Sequence, residues 1–149
     1  GVIRKSTSLL LTALSKGKPG AYQIQAAVSA VHSQAKNYAE TNWKEIALLY
    51  KKLNEIQPSP VIVLNYAVAI SFADGENSGL EMIEMLEREQ SLSCYQPFFA
   101  AKADILRRMN RDKEALQAYQ QAIKLSQNDL ELEFLQKRVK ELNRNAGPL

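Results

Sequence analysis

The sequence predicts an all-α fold in which helical hairpins stack one after another, and three observations support this prediction. First, residues 43–60 read WKEIALLYKKLNEIQPSP and match residues 112–129, DKEALQAYQQAIKLSQND, with lysine, glutamate and tyrosine at equivalent places. Second, apolar residues recur at helical spacing in both copies. Third, proline, glycine and asparagine separate the amphipathic segments. The copies lie two periods of about 34 residues apart, and this period is typical of tetratricopeptide (TPR) helix pairs.

The helices follow in order from these patterns. We expect a leading helix, three helical pairs and a closing helix, stacked as a right-handed superhelix with polar caps at its ends. The predicted helices cover residues 4–16, then 21–36 paired with 42–57, 60–73 with 77–90, 95–109 with 112–126, and finally 129–143. Residues 1–20 then form the leading helix and a turn at the end of a linker, and residues 21–149 form the TPR-like repeat domain.

Turn residues define where these helices end. The sequence Pro-Ser-Pro at 58–60 ends helix 42–57, since proline lacks the backbone donor and disfavours helical geometry in the residue before it. Gly75 follows Asp74 and can take a left-handed cap conformation. Asp112 is predicted as the N-cap of the next-to-last helix. The β-branched run VIVL at 61–64 is also compatible with a buried strand, but it would have no partner strand, so a helix is preferred.

Small and apolar residues predict how the helices pack. Leu80, Ile83 and Leu86 share one face of helix 77–90. The corresponding face of helix 112–126 carries Ala115, Leu116, Tyr119, Ala122 and Ile123, and that of the closing helix carries Leu132, Leu135, Val139 and Leu142. Close approach between helices is expected at Ala67, Ala103, Ala115 and Ala122.

The composition is typical of a soluble globular domain, with 46% hydrophobic and 23% charged residues among 149. The longest apolar run, residues 61–73, is too short for a membrane span, which needs about 20 residues. The stretch IRKSTSLLLTALSKG near the start is similar to a secretory signal, but its apolar core is minimal, so an ordinary helix is preferred. The single cysteine, Cys94, suits a reducing compartment, and we expect a cytoplasmic location.

The net charge of +3 is distributed unevenly along the chain. Acidic residues predominate in 74–89, and basic residues predominate in 102–113. Such alternation is typical of separate solvated helix faces and argues against one continuous nucleic-acid surface. A basic docking site stays open as the alternative.

No combination of residues predicts catalysis. One histidine, His32, and one cysteine, Cys94, are enough in number for a nucleophile pair, but no signature surrounds the cysteine. The segment KGKPG at 16–20 is too short for a phosphate-binding loop and is typical of a turn between helices. Histidine, cysteine and carboxylate residues do not cluster at metal-ligand spacing. The sequence therefore predicts a non-enzymatic protein without catalytic residues, cofactor or metal.

Two segments, GKPGAYQIQAAVSAVHSQA and WKEIALLYKKLNEIQPSPVIVLNYAVAISFADG, carry a resemblance that covers nearly the whole chain. The sequence resembles the C-terminal extension of a group of bacterial extracytoplasmic-function (ECF) RNA polymerase sigma factors. The residues that match in order are Pro19, Gly20, Tyr22, Gln23, Gln25, His32, Trp43, Pro58, Pro60, Leu64 and Asn65. The family commonly has Asp-Gly-Pro in one loop, whereas this chain has Glu76 after Asp74 and Gly75.

The resemblance implies a regulatory role in transcription initiation. Such proteins carry two helical domains that bind DNA and polymerase ahead of this extension, so we expect the chain to be a regulatory fragment of a longer protein. The implied partners are the sigma domains in cis, RNA polymerase holoenzyme indirectly, and a further protein or peptide; direct DNA binding and membrane binding are not expected. An independent TPR-type peptide-binding adaptor is the alternative, and RNA binding by a helical repeat is a weaker one.

The candidate interaction surface combines residues from the resemblance with residues expected on inner helix faces. It consists of Tyr22, Gln25, His32, Asn65, Tyr66, Asp74, Gly75, Lys102 and Arg107. In the adaptor alternative, the groove uses Asn65, Tyr66, Lys102 and Arg107 to hold an extended ligand. For His32 three interpretations stay open: a polar bond between packed helices, a contact to the sigma domains, or a catalytic or metal-binding role.

Overall fold

A computed structural model describes residues 20, 24, 28 and 42–145 of the chain, and this part is all-α. Its six helices are α1 (Trp43–Ile56), α2 (Pro60–Ala73), α3 (Glu76–Glu89), α4 (Gln96–Arg108), α5 (Asp112–Leu125) and α6 (Asp129–Asn145). These bounds agree with the predicted helices to within two residues. The VIVL segment lies inside α2, so the strand alternative is wrong. The predicted helices 4–16 and 21–36 lie outside the described residues, except that residues 24 and 28 are helical.

Side-chain caps and proline account for the ends of α1 and α2. Asn42 Oδ1 accepts a hydrogen bond from the Glu45 amide at 3.2 Å and satisfies one free donor of the first turn of α1. Ser59 Oγ accepts from the Val61 amide at 3.2 Å, and Pro60 stands in the first turn of α2, where no intrahelical donor is needed. The predicted break at Pro-Ser-Pro is therefore confirmed.

The predicted cap at Asp112 is wrong by one residue. Helix α5 begins at Asp112 itself, and its N-cap is Arg111, whose side chain makes no capping bond. The preceding turn brings Asn110 to φ 61°, which completes the reversal of the chain one residue earlier than the sequence suggested. Arg111 instead pairs with Glu114, with Nη2 2.7 Å from Oε2, and Asp112 lies in the first turn, where a negative charge is favourable.

Gly75 takes the conformation that the sequence predicted. Its φ is +113°, a value that side chains other than glycine rarely adopt. The amide of Asp74 donates to the carbonyl of Ile70 at 2.8 Å and closes the last turn of α2 before the chain turns. The Asp-Gly turn thus ends α2 although the family's following proline is replaced by Glu76.

The chain divides into two compact units, Gly1–Gly75 and Glu76–Leu149. This division separates helices 60–73 and 77–90, which the sequence placed in one hairpin. In the first unit, α1 packs against α2, and the buried side chains include Ile24, Ile46, Leu49, Leu53 and Ile62. Trp43 stacks on Phe72 with ring centroids 4.3 Å apart and ties the start of α1 to the end of α2. The predicted domain boundary after residue 20 stays a prediction.

In the second unit, consecutive helices pack against one another from α3 to α6. Leu80, Ile83 and Leu86 are buried on α3, which confirms the predicted apolar face. The four alanines predicted at close helix approaches are fully buried, each with 0% exposure: Ala67 in the first unit and Ala103, Ala115 and Ala122 in the second. On α6, Leu135 and Leu142 are buried as the spacing predicted.

None of the described helices has both the length and the apolar character that a membrane crossing requires.

Candidate functional site

An open groove of about 790 Å³ lies in the second unit, between the first turns of α4 and the first half of α6. Its lining residues are Gln96, Pro97 and Ala100 on the α4 side and Asn128, Leu130, Glu131, Glu133, Phe134 and Lys137 on the α6 side. We call it the α4–α6 groove. Its volume falls within the range of ligand-binding clefts.

The periodicity of α6 explains why this groove is apolar. Leu135 and Leu142 point into the core, whereas Leu130 and Phe134, four residues apart, lie on a different face of the same helix. Leu130 is 79% exposed and Phe134 is 54% exposed. Single exposed apolar residues are ordinary, but two neighbours that face Pro97 and Ala100 across a groove form a contiguous patch of the kind that marks interaction sites.

Side-chain contacts stabilise the first turns of α4 and α6, which form the two walls of the groove. On α4, Phe98 is 1% exposed and meets Phe99 edge to face at a centroid distance of 5.1 Å. Before α6, Asn128 Oδ1 accepts from the Glu131 amide at 2.8 Å, and Glu131 Oε2 accepts from the Gln127 amide at 3.3 Å. The first bond satisfies a free donor in the first turn of α6, and the second ties the residue before the cap to the same turn.

The charged residues of the lining are two acids and one base. Glu133 and Lys137 are exposed, and Glu131 is half-buried. Arg138, next along α6, lies over the ring of the lining residue Phe134, with its guanidinium carbon 5.2 Å from the ring centroid. Its Nη1 lies 3.2 Å from Glu141 Oε2, so its charge is paired with that carboxylate. The edge of the groove is therefore weakly acidic.

Two cations predicted for the interaction surface lie on α4 but do not line this groove. Lys102 Nζ is 2.6 Å from Glu87 Oε2 on α3. Arg107 Nη2 donates to Asp104 Oδ1 at 2.8 Å, and Arg107 Nε donates to the Tyr119 hydroxyl of α5 at 3.3 Å. Both positive charges are thus paired with carboxylates of the same unit.

A small hydrogen-bonded network surrounds Arg107. The Tyr119 hydroxyl donates to Asp104 Oδ1 at 3.2 Å, which links α4 to α5. Burial raises the pKa of Tyr119, and the negative charge of Asp104 raises it further. Burial acts to lower the pKa of Arg107, but its hydrogen bonds to Asp104 and Tyr119 and its charge interactions with the same two groups together outweigh this effect, so the pKa is raised. The network is suited to joining the two helices while Arg107 keeps its charge.

The other predicted surface residues lie in the first unit. Asn65 and Tyr66 are half-buried on α2, with Tyr66 packed against the core, and Asp74 is exposed beside Gly75 at the end of that helix. Tyr22, Gln25 and His32 lie outside the described residues. The structure places Asn65 and Tyr66 next to each other and brings Lys102 and Arg107 onto one helix. The role of this surface stays a prediction.

Sequence reasoning missed the residues of the α4–α6 groove. The segment DLELEFLQ does contain a signal, because Leu130 and Phe134 stand four apart and outside the face formed by Leu132, Leu135, Val139 and Leu142. A second apolar face on an otherwise polar closing helix indicates a surface that contacts something besides its own core.

No group of three or more histidine, cysteine, aspartate or glutamate side chains that could hold a metal ion occurs among residues 20, 24, 28 and 42–145. Cys94 is exposed in the turn between α3 and α4, shortly before Gln96 at the groove.

Comparison with known proteins identifies the fold. No family model matches the sequence. Over 141 residues the chain is 36% identical to an uncharacterized protein of Rhizobium meliloti (strain 1021); the match covers 95% of this chain and 33% of that protein, so the chain spans about a third of the relative's length.

The crystal structure of the Sgt2 TPR domain from Aspergillus fumigatus resembles this chain with a TM-score of 0.59 and 20% identity, over 87% of this chain and 85% of that one. The predicted fold class, an all-α TPR-like stack of helical hairpins, is confirmed. The right-handed sense of the stack stays a prediction.

Proposed function

We propose that this chain is a regulatory protein-interaction domain and that it acts by binding rather than by catalysis. The observation that carries the proposal is the α4–α6 groove, in which Leu130 and Phe134 are exposed on a TPR-like scaffold. Stacked helical repeats present extended surfaces that suit protein or peptide partners. Exposed apolar side chains between fixed walls supply the burial on which such binding depends.

In finer detail, the domain is the C-terminal extension of an ECF-type sigma factor, and it modulates transcription initiation in the bacterial cytoplasm. The support is the ordered match from Pro19 to Asn65 together with the TPR-like fold. The partners are then the sigma domains in cis and, through them, RNA polymerase. A chain that spans about a third of its relative fits a regulatory part of a larger protein.

The test uses the complete gene product that contains this chain. We expect sigma-type domains in it, measurable binding of those domains to the purified 149-residue chain by calorimetry, and a changed transcription rate in vitro when the chain is deleted. A gene product without sigma-type domains contradicts the sigma-factor role. Absence of binding together with unchanged transcription contradicts it equally.

A second candidate is an independent TPR-type adaptor that binds a peptide. The α4–α6 groove favours it, because the exposed side chains of Leu130 and Phe134 offer a peptide an apolar surface that lies wholly within this chain. This candidate predicts that the chain does not bind the sigma domains and that its deletion leaves the transcription rate unchanged, so the same two measurements separate it from the first.

A further inference from the structure

We infer that the α4–α6 groove binds a segment of a partner protein that inserts a large apolar side chain beside Leu130 and Phe134 and places a basic residue against Glu133. This inference rests on the proposed protein-interaction function and names the chemistry of the partner. It also implies that an acidic segment, such as a free C-terminus rich in carboxylates, is a poor ligand.

The exposed apolar side chains of the groove indicate that the partner contributes an apolar side chain. Leu130 and Phe134 are 79% and 54% exposed, and Pro97 and Ala100 form the opposite wall. The small side chain of Ala100 leaves room that a leucine, methionine or phenylalanine of the partner can fill. Burial of such an anchor between fixed walls costs little ordering of the groove itself.

The charged residues at the groove indicate that the partner also contributes a basic side chain. Glu131 and Glu133 line the groove, and Asp129 is exposed at the start of the same helix. Of the lining residues only Lys137 is a cation, so the two lining acids outnumber it, and Asp129 adds a further negative charge beside them.

Three other cations of α4 and α6 form ion pairs within the second unit. Lys102 pairs with Glu87 at 2.6 Å, Arg107 pairs with Asp104 at 2.8 Å, and Arg138 pairs with Glu141 at 3.2 Å. A carboxylate entering the groove would meet Glu131 and Glu133, with Lys137 as the single cation among the lining residues. A lysine or arginine would meet attraction instead, so complementarity favours a basic flank.

Three short fluorescein-labelled peptides test this with the full 149-residue chain. The first carries leucine and phenylalanine four positions apart with a lysine on either side of that pair. The second has glutamates in place of the lysines, and the third has serines in place of the leucine and phenylalanine. By fluorescence anisotropy at low salt, we expect the first peptide to bind about tenfold more tightly than either of the others.

Two variants with matched controls locate the site. Phe134→Ser should weaken binding of the first peptide about tenfold, whereas Met85→Ser on α3, a residue of equal 54% exposure, should leave it unchanged. Glu133→Lys should favour the glutamate peptide over the lysine peptide, whereas Glu84→Lys, also exposed on α3, should preserve the original preference. Circular dichroism checks that each variant keeps its helix content.

The outcomes separate this inference from the proposed function. Equal binding of all three peptides, tighter binding of the glutamate peptide, or no effect of Phe134→Ser overturns the inference. If no peptide binds but the sigma domains bind the Phe134→Ser variant normally, the inference is wrong and the proposed function stands. If neither the peptides nor the sigma domains bind, both are wrong.

Discussion

At the scale of single residues, Tyr119 joins α5 to α4 through its aromatic ring and its hydroxyl group. Its ring is buried, with 1% of the residue exposed, and its hydroxyl bonds to Asp104 and Arg107 of the neighbouring helix α4. A buried hydroxyl needs such partners because an unpaired polar group in the core costs free energy. The three side chains therefore fix the relative position of α4 and α5.

Replacing Tyr119 with phenylalanine tests the contribution of the hydroxyl. The ring and its packing remain, and Asp104 and Arg107 keep their own ion pair, so we expect a loss of about 1 kcal/mol in the free energy of unfolding. The midpoint of urea denaturation measures this. As a control, Tyr95→Phe should change stability by less than half as much, since Tyr95 is only half-buried and its hydroxyl makes no hydrogen bond within the described part of the chain.

The same residue predicts a fall in stability at alkaline pH. Burial, and then the charge of Asp104, raise the pKa of Tyr119 above the value near 10 that it has in the unfolded chain. Above about pH 10 the unfolded chain releases this proton while the folded chain retains it, so the free energy of unfolding decreases as pH rises. Below that pH, Tyr119 is protonated in both states, and its full contribution to the free energy of unfolding is present.

Urea denaturation at about pH 8 and about pH 10.5 measures the effect. The decrease should be smaller in Tyr119→Phe than in the unmodified chain. Tyr50→Phe should act in the same direction, because burial raises the pKa of Tyr50 as well. An equal decrease in all three proteins would show that other groups cause the alkaline loss.

At the scale of the helix, close packing depends on alanine. Ala103 has 0% exposure where α4 meets its neighbours, so a longer side chain there has no space. We expect Ala103→Leu to cost about 1–3 kcal/mol and to lower the thermal midpoint by about 3–10 °C.

Ala101→Leu, two residues away on the same helix and only half-buried, is the matched control. This substitution adds the same atoms as Ala103→Leu and changes helix propensity equally. The thermal midpoint of the Ala101→Leu variant should fall by less than half as much as that of Ala103→Leu. Equal effects of the two substitutions would mean that α4 is not closely packed at Ala103. Differential scanning calorimetry measures both midpoints.

At the scale of the whole molecule, the division after Gly75 predicts that residues 76–149 fold alone. This unit contains its own buried side chains, among them Ile83, Phe98, Tyr119 and Leu135, and its helices pack in sequence from α3 to α6. Repeat proteins are stabilised by contacts between neighbouring helices, so a compact unit should retain them. The separate fragment should show a helical circular dichroism spectrum and a cooperative thermal transition.

A shorter fragment that begins at Gln96 is the control for this prediction. It lacks α3, so the faces of α4 that pack against α3 are exposed to water. Its thermal midpoint should be lower than that of fragment 76–149. A fragment 76–149 that is unfolded at room temperature would contradict the prediction.

The bounds of the six described helices could be predicted from the sequence, because local residues determine where a helix begins and ends. The repeat predicted α1 and α5, the Pro-Ser-Pro sequence predicted the break between α1 and α2, and Asp-Gly predicted the end of α2. The error at Asp112 arose because a left-handed residue at Asn110 shifts the turn, and asparagine only permits that conformation without requiring it.

The candidate site could not be predicted to the same extent, because it depends on contacts between helices. Apolar residues at helical spacing look alike in sequence whether a neighbour covers them, as with Leu135, or leaves them exposed, as with Leu130. Likewise, Lys102 and Arg107 appear as available charges until their partners Glu87 and Asp104 are located. Only the position of α4 beside α6 turns Phe134 into the wall of a groove.

The exposed thiol of Cys94 gives this chain a reporter that needs no engineering. Because the sequence contains one cysteine, a maleimide dye attaches at a single point, in the turn that leads into the groove wall at Gln96. A solvent-sensitive fluorophore at that position would change its emission when a partner excludes water nearby. Occupancy could then be followed in real time on the native polypeptide, with unlabelled ligands of any kind.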